Sequence, residues 1–319
     1  MDLKKEIMVL LNDLGDDLKD IVISNVVSHI ERAEHFYLKA EIEKDDQYYT
    51  DVIYRTNQAY EGMLKITYQC FTGGGDDSEC NLSTFQIEQY LEEEQIFNER
   101  IKFAFALYRK KWRNPSVHEY GLFFSKLEAF LAIINVTSFV YVLSNQLAEQ
   151  RSTKKILEMI LAEEPAEYHV VKEDQHDIND IVVEHLREFH KIPKDGIVSG
   201  NNMSQIVGAI KGYLEGKIKG MEVITNYNNI DMVINYGNSM EDDSAMQGKI
   251  IVKVKNGFSK QKLQFASEQL TEYMYQFKSK QGILYFYSEE TSGEYVVSRE
   301  LVNNKEIVIV KPYKHLQLV

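Results

Sequence analysis

YRKKWRNPSVHEY, residues 108–120, is the stretch from which the rest of the chain takes its reading. Asn114 and Pro115 stand between Arg113 and His118. Asn is among the favoured N-cap residues, and Pro suits the first helical position because its missing N–H would be unbonded there anyway. The pair predicts that Arg113 closes one helix and that His118 lies on the first turn of the next. The free backbone N–H groups of such a turn, with a guanidinium beside them, would hold a phosphate. A histidine so placed can exchange a proton near neutral pH. These are the parts needed to cleave RNA through its own 2′-hydroxyl without a metal. His118 would be the acid–base group, Arg113 would stabilise charge on phosphorus, and Asn114 would orient the pair or hold the turn. The bland alternative is that Arg113 caps its helix and His118 bonds a backbone group.

Outward from this motif, residues 1–150 read as helices throughout. Ile7, Leu10, Leu11 and Leu14, then Ile21, Val22, Val26 and Ile30, recur at helical spacing, with Gly15 as a break. Residues 49–71 predict a further helix, ended by the loop TGGGDDSEC. Ser83 or Thr84 then caps a long helix to about Arg113, and a last one runs to about Gln150. Residues 151–202 read as a small helical linker module. From residue 203 the period changes. A helix (SQIVGAIKGYLEGKIKG) is followed by strands MEVITNY, IDMVINYG and KIIVKVKN, a helix, and strands GILYFYSE, EYVVSREL and EIVIVKPY. This order implies a mixed sheet with helices packed on it over residues 203–319.

Composition removes several classes. Hydrophobic content of 44% supplies real cores and argues against disorder. Cys70 and Cys80 are the only cysteines, too few to staple the fold or build a four-cysteine zinc site, which suits a reducing, cytoplasmic setting. MDLKKEIMVLLNDLGDD has too short an apolar run and too many acids for a signal peptide. The most apolar run, Ala129–Leu143, falls short of the roughly 20 residues of a membrane span and reads as a buried helix. The net charge is −13. Residues 1–150 hold 15 Lys and Arg against 25 Asp and Glu, whereas residues 201–319 hold 14 against 13. Arg109, Lys110, Lys111 and Arg113 make a basic patch on that acidic body, fit to grip nucleic acid at one point. His176, His185 and His190 lack the i, i+4 pairing that zinc favours, since His185 and His190 are about 500° of helix rotation apart. TGGGDD lacks the Lys and Ser/Thr of a phosphate-binding loop. Arg55, Asn57, Glu61 and Lys65 read as a solvated or salt-bridged helix face.

Arg113, a following Asn, and His118 within an all-α segment of this length resemble the signature of HEPN ribonucleases. The resemblance covers less than half of the chain. It implies a helical bundle with its motif before a late helix. It also implies RNA cleavage to 2′,3′-cyclic ends, and a homodimer through the N-terminal domain that brings two Arg113–His118 pairs together. Such proteins are often toxins or antiphage-defence effectors.

The C-terminal order of elements resembles the PD-(D/E)xK restriction-endonuclease core. Carried over, Asp231 matches the strand Asp, Glu215 the helix Glu, and Lys255 the Lys of the third strand. The acid expected two residues earlier is Lys253, which departs from the pattern and leaves Mg2+ short of a ligand. The resemblance thus implies a degenerate second site. Strand alternation alone puts Lys253 and Lys255 on one face, exposed to water, and their charge would suit nucleic acid. The leading expectation is a metal-independent endoribonuclease whose C-terminal domain senses or recruits. RNA is its substrate, DNA or a regulatory protein a further partner, and no cofactor or membrane is involved. The alternatives are a non-catalytic nucleic-acid- or partner-binding defence protein, and a Mg2+-dependent DNA nuclease using Asp231 and Lys255.

Overall fold

The computed structural model describes residues 3–12, 20–72, 82–94, 96–97, 102, 106–118, 123–162, 169–170, 178–200, 202–227, 230–236, 248–289 and 293–313. The chain divides into two compact units, Met1–Ala148 and Glu149–Val319.

The first unit is helical: α1 (Leu3–Asn12), α2 (Asp20–Glu43), α3 (Gln47–Thr72), α4 (Thr84–Glu93), a π-helical turn (Arg109–Arg113), α5 (Asn114–His118) and the first part of α6 (Lys126–Ala162). A short turn joins α2 to α3, with Lys44 at φ 59° and Asp45 Oδ1 accepting from the Gln47 N–H. Ser83 caps α4 as the sequence suggests, and Gln86 returns the bond to complete a capping box. That helix stops at Glu93 instead of reaching Arg113. The core gathers Ile30, Tyr60, Met63, Leu64, Ile87, Trp112, Val140 and Leu143 from successive helices.

One expectation fails at its centre. Asn114 is itself helical, at φ −66° and ψ −46°, and its N–H donates to the Arg109 carbonyl. The π turn therefore runs straight into α5. No fresh helix N-terminus opens between Arg113 and His118: the Asn114 N–H is already bonded and Pro115 has none to offer a phosphate. Tertiary contacts have outweighed the capping propensity of Asn-Pro.

α6 also differs, running unbroken for 37 residues where a stop near Gln150 was expected. No Gly or Pro interrupts Lys126–Ala162, so nothing local ends it. It is long and apolar enough to cross a membrane. Its Ala132, Val136, Val140 and Leu143 are instead buried in the helical core.

The second unit contains the rest of α6, β1 (His169–Val170), α7 (Ile178–Glu188), a 3-10 turn (Phe189–Lys191), α8 (Met203–Lys217) and β2 (Ile218–Lys219). It continues through β3 (Met221–Tyr227), β4 (Ile230–Tyr236), β5 (Gly248–Asn256), α9 (Lys260–Gln276), β6 (Gln281–Tyr287), β7 (Tyr295–Val302) and β8 (Lys305–Pro312). Residues 151–202, read from the sequence as a linker, fall within this unit, and Ile178, Val182 and Leu186 share its core.

Six strands form one mixed sheet in the order β3-β4-β5-β6-β8-β7. β3, β4 and β5 are antiparallel neighbours, whereas β5, β6 and β8 run parallel. α8 covers the face carrying Val223, Ile234, Val252 and Val254. α9 covers the other, carrying Val233, Ile251, Leu284 and Ile309. Alternation along each strand thus sorts residues between two cores. α8 lies against α6 through Gly208 and Gly212. A Cβ on Gly208 would sit 2.1 Å from the Glu149 carbonyl oxygen, and one on Gly212 2.2 Å from that of Thr153. The Thr153 hydroxyl bridges the two backbones, donating to the Gly208 carbonyl at 3.0 Å.

Candidate functional site

Arg113 ends the π turn with its side chain 23% exposed. Its guanidinium donates to Glu61 Oε1 at 3.4 Å and to Asn114 Oδ1 at 3.2 Å, while its buried Nε has no partner. The group is held but not saturated. An unsatisfied buried donor costs about 1–3 kcal/mol, so this one is ready to exchange weak contacts for a better acceptor. His118 is the last residue of α5, and its side chain lies outside the described residues.

The π turn has a geometric reason. Asn57, on α3 and only 6% exposed, is bonded at both ends of its amide. Its Nδ2 donates to Ser116 Oγ at 2.6 Å, and its Oδ1 accepts from the Tyr108 hydroxyl at 2.7 Å. Residues eight apart on an α-helix sit about 80° out of line. A π turn winds about 4.4 residues per turn, which brings such residues back to about one face. Tyr108 and Ser116 can then both reach Asn57. The Ser116 hydroxyl also donates to the Arg113 carbonyl at 2.9 Å, tying the motif's backbone to the same amide. Tyr108 OH lies 2.8 Å from Thr56 Oγ1, and burial holds the phenol well above its ordinary pKa, so it remains a donor.

Sequence reasoning missed this set. It grouped Asn57 and Glu61 with Arg55 and Lys65 as a solvated face, but the four do not share one. Asn57 and Glu61, four apart, turn to the motif. Arg55 lies 6.0 Å from the Phe36 ring centre, and Lys65 is exposed. The i, i+4 spacing of Asn57 and Glu61 was the available signal.

The basic patch also divides. Arg109 is committed to Glu88, a carboxylate 4% exposed that accepts the Tyr60 hydroxyl at 2.9 Å. Lys110 and Lys111 stay exposed.

In the second unit, Asp231 at the start of β4 lies opposite Lys253 on β5. Its Oδ1 accepts from Lys253 Nζ at 2.9 Å and its Oδ2 from the Val254 N–H at 2.8 Å. Lys253 is 7% exposed, so the expectation of a solvent-facing lysine fails. The carboxylate opposite has drawn it in. Lys255, two residues on, is half-buried. Glu215 belongs to α8 on the other face of the sheet, where burial raises its carboxyl pKa, Lys211 opposing and Glu222 adding. The Glu215–Asp231–Lys255 set is therefore not brought together. Both Asp231 oxygens are engaged and the next acid position is a lysine, so these residues do not fit Mg2+.

His185 and His190 are buried in the second unit. His190 stacks on Tyr295, and its Nδ1 lies 2.7 Å from the Arg187 carbonyl. Among the described residues no group of three or more His, Cys, Asp or Glu could hold a metal. Cys70 is half-buried; Cys80 and His176 lie outside the described residues. No protein-family model, curated protein or solved structure matches this chain.

Proposed function

We propose that the helical unit is a HEPN-type ribonuclease that cleaves RNA through the 2′-hydroxyl without a metal. The observation that supports this most directly is the incompletely satisfied Arg113 guanidinium, fixed by Glu61 and Asn114 on a helix that Asn57 anchors. Arg113 stabilises charge on the phosphorane and His118 moves the proton. The 2′ oxygen gives up its proton and attacks phosphorus. The bond to the 5′ oxygen breaks, that oxygen takes up a proton, and a 2′,3′-cyclic phosphate remains. A homodimer through this unit would place two Arg113–His118 pairs at one composite site. Exposed Lys110 and Lys111 would steer the strand. The chain would act as a toxin or antiphage-defence effector, with the sheet unit as its sensing or nucleic-acid-binding module.

The test is digestion of single-stranded RNA by purified protein in EDTA. Arg113→Ala and His118→Ala should each lower the rate by about 100-fold or more while the circular dichroism spectrum stays unchanged. Cleavage that survives both substitutions, or that stops on chelation, would overturn the assignment.

A further inference from the structure

At the carboxyl ends of the parallel strands β5, β6 and β8 the sheet collects lysines. Lys255 comes from β5, Lys262 from the first turn of α9, and Lys311 from the end of β8. Lys262 Nζ donates to the Asn256 carbonyl at 2.6 Å, which holds it beside β5. Lys311 Nζ lies 4.7 Å from the centre of the Phe258 ring, between β5 and α9. Asp231 is the carboxylate beside Lys255, and Lys253 and the Val254 N–H already occupy both of its oxygens. Lys255 is left half-buried, with a pKa lowered first by burial and then by Lys253. Asp231 opposes that shift and Lys262 adds to it. An ammonium partly withdrawn from water beside two others, its nearby acid spent, is destabilised unless an anion reaches it. In open α/β sheets the crevice beyond the carboxyl ends of the strands is also where ligands bind.

We infer that this end of the sheet binds a phosphoryl group, gripped by Lys255 and Lys262, while Lys253 locks Asp231 so that it does not repel the ligand. The inference deepens the reading of the sheet unit as a nucleic-acid-binding module and rests on it. Lysine ammonium groups grip phosphoryl oxygens as point charges without needing a planar partner. The chemistry is common to a nucleic-acid backbone and to a small phosphate, and the test separates them.

The full chain carrying Arg113→Ala, so that RNA is not consumed, is titrated against labelled 20-nucleotide single strands and inorganic pyrophosphate. Binding is followed by fluorescence anisotropy and by the pyrophosphate-induced rise in melting temperature. Lys255→Gln with Lys262→Gln should weaken binding about 10-fold and lower the slope of log K against log salt by about 1–2. The exposed Lys280→Gln should change neither. Strand binding that resists millimolar pyrophosphate assigns the backbone; pyrophosphate stabilisation without strand binding assigns a small phosphate. Equal binding by parent and double variant, an equal loss in Lys280→Gln, or no binding of either probe overturns the inference. If the double variant does not fold, the exposed Lys262→Gln alone carries the same comparison. RNA cleavage in EDTA by Lys255→Gln/Lys262→Gln with Arg113 intact reports separately on the helical unit, so failure of one reading is not taken for failure of the other.

Discussion

Two carboxylate–cation pairs, Glu61 with Arg113 in the helical unit and Asp231 with Lys253 in the sheet, are finished to different degrees. Asp231 accepts one bond at 2.9 Å from Lys253, itself 7% exposed, and a second at 2.8 Å from the Val254 N–H. Glu61 touches Arg113 once, at 3.4 Å, and leaves the guanidinium Nε without a partner. Residual hydrogen-bonding capacity is what separates a cation able to act from one spent on structure. Guanidinium suits the first role because its fork carries five donors, more than one carboxylate consumes.

The comparison breaks first on stability. Asp231→Ala would strand a buried ammonium, and urea unfolding should show a loss of about 3 kcal/mol. Adding Lys253→Met should recover most of it. Glu61→Gln, at a partly exposed pair, should cost under about 1 kcal/mol. A larger loss for Glu61→Gln than for Asp231→Ala would reverse the assignment of roles.

A smaller effect sharpens the helical side. Tyr108→Phe removes the donor to Asn57 Oδ1 and should cost about 1–2 kcal/mol. Because Asn57 also holds Ser116, RNA cleavage should fall about 10-fold with no change in its pH profile, since Tyr108 positions the motif and does not touch the phosphate. A Tyr108→Phe variant as active as its parent would detach that network from the site.

A pH effect extends the comparison to a cation that, among the described residues, bonds no acid. Lys194 is 8% exposed and donates, among the described residues, to the carbonyls of His190 and Ile192, and burial brings its pKa down to about 8. The unfolded chain holds this proton up to the ordinary lysine range of about 10.4, so between pH 8 and 10 it binds more protons than the native state. Wild-type stability should therefore rise over that window relative to Lys194→Met, read as the shift in urea midpoint. A flat difference would show that water reaches the amine.

The sheet unit was legible because its strands carry their own period. MEVITNY and IDMVINY coincide with β3 and β4, and Ser259 starts α9 by accepting from the Lys262 N–H. The helical unit was legible as a class, but its motif geometry was not. Asn-Pro argued locally for a helix start, whereas the chain continues through it with both sides of the turn bonded to Asn57, more than fifty residues earlier. The fate of Lys253 was hidden for the same reason, because alternation assigns a face and not a partner across the ladder.

The π turn carries a consequence for how this chain can vary in length. A π turn amounts to a helix with one residue too many, here accommodated between Tyr108 and Ser116. Loops absorb insertions and deletions at little cost, but in a helix each one changes which residues share a face. Regular winding would leave Ser116, eight residues on, about 80° out of line with Tyr108, and the π turn removes that offset. Removing exposed Lys110 would leave the two seven apart on a regular helix, about 20° out of line, so Asn57 keeps both partners. A residue inserted there would instead swing Ser116 about 100° away from Tyr108, so the segment bears the loss of one residue and not the gain of one.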